Sequence, residues 1–90
     1  MSTGEAREIY IQAIEKWGIL PQVLMVMEEC GELLSALSKF NRRRVNSPEV
    51  ITELADVSIM VEQMASYFGW ENFWEERDRK LQRLKERIKK

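Results

Sequence analysis

Helix punctuation constrains this chain more than any other feature. Gly18 and Gly69 sit where helices would stop, because glycine accepts the left-handed backbone of a helix end. Pro21 and Pro48 sit where helices would begin, at positions whose N–H is not needed. Between these marks apolar residues recur at three- and four-residue spacing, and no segment alternates with period two. The expectation is all-α, with helices over about residues 4–17, 21–40, 48–68 and 71–88.

Each segment has its own stripe. The first carries Ile9, Tyr10, Ala13, Ile14 and Trp17. In the second the stripe is Val23, Val26, Met27, Cys30, Leu33, Leu34, Leu37 and Phe40. For the third it is Val50, Leu54, Val57, Val61, Met64 and Phe68, and for the fourth Trp74, Leu81, Leu84 and Ile88. A polar stretch, Asn41 to Asn46, joins the second to the third, and Ser47 reads as the N-cap that follows. Short links between amphipathic helices predict antiparallel neighbours in a four-helix bundle, one domain over residues 1–90. The third helix has a second apolar side: Ile51, Ala55, Ser58, Ile59 and Ala65. A helix apolar around much of its girth is enclosed on more than one side. A chain of 90 residues buries only about 60–65% of its unfolded surface, so a second copy is the expected cover.

Absences exclude several chemistries. The chain has no His and one Cys, so an imidazole base, an internal disulfide and a zinc site of the usual ligands are all missing. Its four glycines are scattered and build no phosphate loop. The longest aliphatic run, Val23 to Met27, is far short of a membrane span. The opening Met1 to Glu5 is polar and has no signal-peptide core, which sets the expectation of a cytoplasmic protein. Net charge is −1, so the overall balance gives no reason to expect nucleic acid or an anionic membrane as partner. Carboxylates, Lys, Arg, hydroxyls and aromatics remain for chemistry.

The charges are segregated although their sum is balanced. No Lys or Arg lies between Trp17 and Ser38, where Glu28, Glu29 and Glu32 stand, or between Val45 and Glu76. The last fourteen residues hold eight basic groups against Asp78 and Glu86. On a helical wheel Glu53 falls inside the apolar stripe, between Val57 and Met60, with Asp56 beside it. Glu29 borders the stripe of the second helix, and Glu32 stands one turn beyond. Four carboxylates thus converge on one bundle interior, where an uncompensated charge is expensive. Three escapes are open. The carboxyls can protonate; they can pair with Lys80, Arg83 or Arg87 of the fourth helix; or they can hold a divalent ion. All-oxygen ligands suit Mg²⁺ or Mn²⁺, and Mg²⁺ is commonly completed by substrate phosphates.

Glu28-Glu29-Cys30-Gly31-Glu32 reads E-E-x-x-E, and Glu53-Leu54-Ala55-Asp56 reads E-x-x-D on the next helix. The pair resembles the signature of the MazG-like all-α nucleoside triphosphate pyrophosphohydrolases. Lys80-Leu81, Leu84 and Arg87-Ile88 are similar to that family's closing helix. The resemblance covers residues 17 to 88. It implies a helical homodimer or dimer of dimers. It also implies Mg²⁺-dependent cleavage of a nucleoside triphosphate between its α and β phosphates, giving monophosphate and pyrophosphate. Carried over residue by residue, it makes Glu29, Glu32, Glu53 and Asp56 the metal-binding and catalytic carboxylates. Glu28 matches the first Glu of the pattern, and Lys80 and Arg87 match basic positions near the phosphates. The chain departs from the family's Lys-Asn-x-x-Arg pattern: Arg83-Leu84-Lys85-Glu86-Arg87 stands there, with Leu84 on the bundle stripe. The resemblance therefore carries over no base or sugar contact for that Asn.

Trp17 closes the first helix just ahead of the one bearing Glu29 and is the best aromatic to stack a base, although aromatics at helical spacing more often pack. Gln22 and Lys39 share the second helix with Glu29 and complete the substrate-binding candidates, with surface positions as the plainer reading. Two rival functions fit the same residues. One is a phosphoribosyl-ATP pyrophosphohydrolase-type enzyme, and the other a non-catalytic helical interaction or regulatory dimer.

Overall fold

The computed structural model describes residues 1–42 and 47–90. It is all-helical over those residues: α1 (Thr3–Trp17), α2 (Ile19–Asn41), α3 (Ser47–Phe68) and α4 (Trp70–Ile88). The boundary at residue 18 differs from the sequence expectation for a physical reason. Gly18, at φ 84°, is at once the last cap of α1 and the first of α2. α2 therefore starts two residues before Pro21, which still lies in the first turn, where its lost N–H costs no helical bond. α1 opens earlier than expected because Ser2 and Glu5 form a capping box. Ser2 Oγ accepts the Glu5 N–H at 3.1 Å, and Glu5 Oε1 accepts the Ser2 N–H at 3.4 Å. The connection Arg43 to Asn46 and the side chain of Ser47, with the N-cap expected there, lie outside the described residues.

α2 and α3 form the principal pair, and α1 packs across them, mainly on α3. Tyr10, Ala36, Met60 and Ala65 are the buried apolar residues, joined by the buried amides of Gln22 and Gln63. Gln63 Nε2 donates to Gln22 Oε1, tying α3 to α2. Tyr10 Oη donates to Glu62 Oε1 at 3.2 Å, tying α1 to α3. Burial and the neighbouring Glu62 carboxylate push the Tyr10 hydroxyl above its usual range.

α4 departs from the expected four-helix bundle. After Gly69 (φ 148°) its backbone runs close only to that of α3, and every residue from Glu75 onward is exposed. Its root is held by aromatic contacts: the Tyr10 and Trp70 rings lie 6.4 Å apart, and the Arg7 guanidinium stands 5.2 Å from the Trp70 ring centre. The third stripe is also corrected. Leu54, Val61 and Phe68 are exposed, whereas Val50, Val57 and Met64 of the same stripe are half-buried, on an inner face they share with Glu53, Asp56, Met60 and Gln63. No described helix is long and apolar enough to cross a membrane.

Candidate metal centre

Carboxylate oxygens of Glu29, Glu53 and Asp56 lie within 4.8 Å of one another across the α2–α3 seam. All three residues are half-buried. One oxygen of Glu29 and one of Glu53 are shut off from solvent and meet no hydrogen-bond donor. Among the described residues no Lys or Arg pairs with the three acids; an ion pair does form between Arg79 and Glu76, wholly on α4. Within one chain, then, the fourth helix does not neutralise the crowded acids. The electrostatics agree. Partial burial, then the charges of Glu32, Asp56, Glu53 and Glu28, raise the Glu29 carboxyl above 4.5. Burial, followed by Glu32 and Asp56, raises Glu53 in the same direction.

The donor set fits a hard divalent cation: three carboxylates, no nitrogen or sulfur, and two oxygens lacking any partner. Glu29, Glu53 and Asp56 would hold it. Glu32 is exposed and falls outside the 4.8 Å triad, but it stays in the acidic group: its carboxyl meets that of Glu53, and its charge presses on both Glu29 and Glu53. It lines an adjoining polar cavity of about 190 Å³ together with Ser35, Ala36, Lys39, Glu49 and Glu53. Glu28 is exposed on the neighbouring side of α2.

The proposed substrate contacts fall in four places. Lys39 lines the cavity beside Glu53. Gln22 does not: it is 5% exposed and engaged with Gln63, so it is a core residue here and not the surface residue of the plainer reading. Trp17 is 57% exposed, with Lys16 Nζ 5.2 Å from its ring centre, and ends α1 just before α2 begins. Glu29 stands ten residues beyond Ile19, about 15 Å along the helix axis. Lys80, Arg83 and Arg87 are exposed on α4, whose backbone makes no close approach to that of α2 within one chain.

Two cavity residues escaped the sequence reading, Ser35 and Glu49. A signal for both was present. Glu49 is four residues before Glu53, and Ser35 is three after Glu32, so each lies one turn from an acid already singled out. No family model, curated protein or solved structure matches the chain.

Proposed function

We propose that this protein is a Mg²⁺-dependent nucleoside triphosphate pyrophosphohydrolase, acting in the cytoplasm as a homodimer or dimer of dimers. The observation that carries the reading is the carboxylate triad, with its two buried oxygens that meet no donor. A divalent ion held there supplies charge neutralisation for a polyphosphate and a lower pKa for a bound water. Glu29, Glu53 and Asp56 hold it, and their crowding keeps the site poised for a cation. Glu32, beside the triad and open to the cavity, takes the proton of the attacking water. Lys39, on the same cavity wall, binds outer phosphate oxygens. Mn²⁺ satisfies the same oxygen donors.

The test is product analysis. With mixed nucleoside triphosphates and Mg²⁺ the protein should release nucleoside monophosphate and pyrophosphate. Orthophosphate with diphosphate would mean that another bond is cut, and preference for a phosphoribosyl nucleotide would move the assignment to the related enzyme type. Glu53→Gln and Asp56→Asn should each lower turnover by about 100-fold or more. Parent-like rates in both variants would show that the site is misassigned.

A further inference from the structure

We propose that α4 of one copy packs along the outer face of α2 of a second copy, in a reciprocal dimer. The inference takes the homodimer from the proposed function and needs none of its chemistry.

The first support is area. The chain exposes 7146 Å², whereas a compact monomer of 10.7 kDa exposes about 5,500 Å². The surplus is roughly 1,600 Å² per chain. Two copies hiding it from each other would bury about 3,200 Å² in total, within the range of obligate homodimers. The radius of gyration is 15.4 Å, against about 12 Å for a compact chain of this length. Among the described residues no large side chain is fully buried.

The second support is matched patterning. On α2, Leu20, Leu24, Met27, Gly31 and Leu34 follow alternating steps of four and three, the spacing of a helix–helix seam. Its four apolar side chains are 63 to 74% exposed. At Gly31 nothing lies within 4 Å of where a Cβ would stand, leaving a notch midway along the seam. On α4, Trp74, Arg77, Leu81, Leu84 and Ile88 repeat the same spacing. Leu81 and Leu84 are each 45% exposed and Ile88 75%. A 19-residue helix with a free outer half needs tertiary cover to be stable.

The third support is charge. The α4 seam is flanked by Lys80 and Arg87 on one side and by Asp78 and Lys85 on the other. The α2 seam is flanked by Glu28, and no Lys or Arg occurs from Trp17 to Ser38. α3 is the poorer match. Part of its outer row, Val61 and Phe68, already lines the groove that α4 makes within its own chain. Docking on α2 also brings the basic helix of one copy to the acidic helix of the other, which the backbone of its own α4 does not approach.

The native Cys30 is exposed and flanks the α2 seam, so it reports on what covers that face. Light scattering should give twice 10.7 kDa, or four times where two such dimers pair; a stable monomer overturns the proposal. Lys80→Cys and Lys85→Cys place a thiol on either flank of the α4 seam. In at least one of them a short bis-maleimide should join Cys30 of one copy to the new thiol of the other, as peptide mapping would show. Cys30-to-Cys30 linkage in the parent dimer would mean that α2 meets α2. That result overturns the proposal, as does a dimer linked in neither variant. Leu84→Glu and Leu24→Glu should each weaken dimerisation by about 30-fold or more, and the linkage test stands if either fails to fold. A dimer without nucleotide turnover would sink the proposed chemistry and leave this interface intact. Turnover by a monomer would do the reverse.

Discussion

Glu29 and Glu53 hold their carboxylates where water reaches poorly and three other acids repel them, and the sign of the consequence follows. Their folded-state pKa values lie above the ordinary 4.5, so the native state binds more protons than the unfolded chain in that range. The metal-free protein should therefore lose stability as pH rises from about 4.5 through the raised values, and stay at the lower level above them. Melting curves in a chelator should show this descent. Glu53→Gln should flatten it and raise the melting temperature at neutral pH. Mg²⁺ or Mn²⁺ should oppose the loss, by about 2.7 kcal/mol at a hundredfold excess over Kd. A chelator-treated protein that melts independently of pH between 4 and 8 would contradict the crowding. The buried amide pair makes a separate test. Gln22→Leu strands the Gln63 amide and should cost about 1–3 kcal/mol, whereas Gln22→Leu with Gln63→Leu should recover most of it. Additive costs in denaturant titrations would show that the two amides do not depend on each other.

At the level of elements, helix ends and acid positions were legible in the chain, and the partnering of faces was not. Gly18 and Gly69 mark real boundaries because their backbones take φ 84° and 148°, values that side chains strongly disfavour. A Cβ on Gly69 would in addition stand 3.4 Å from Asn72 Nδ2. Gly69→Ala should therefore destabilise the fold by about 1–3 kcal/mol and loosen α4 first. Hydrogen exchange that left α4 protection unchanged would count against that. Glu53 inside an apolar stripe was likewise a sound pointer, since a carboxylate at a core register needs a reason. Wheel position held at Val50, Val57 and Met64 and failed at Leu54, Val61 and Phe68, because α3 is apolar around much of its girth and the chain covers only a strip of it; Ile51 and Ile59 of its second side are exposed too. It failed at Gln22 for the opposite reason: an amide reads as polar surface until a second amide, forty-one residues on, satisfies it in the core. Lys80 and Arg87 were matched by pattern, and Arg83 set beside them, to a site from which their part of α4 stands apart in one chain, since the backbone of α4 runs close only to that of α3.

For the whole molecule, charge segregation and surplus surface have one joint consequence. A chain that leaves Leu20, Leu34 and Ile88 more than 70% exposed has put much of its hydrophobic stabilisation where only another molecule can collect it. Folding and association are then one equilibrium, and apparent stability depends on how much protein is present. For a dimer unfolding to two chains, each tenfold rise in concentration adds about 1.4 kcal/mol. Spread over the unfolding entropy of two such chains, that is roughly 3–6 °C in melting temperature per tenfold. Calorimetry from low micromolar to high micromolar protein should trace this rise, and Leu84→Glu should abolish it while lowering the whole curve. A melting temperature fixed across that range would mean that the three-helix group of α1, α2 and α3 carries the stability by itself, with α4 as an appendage to it.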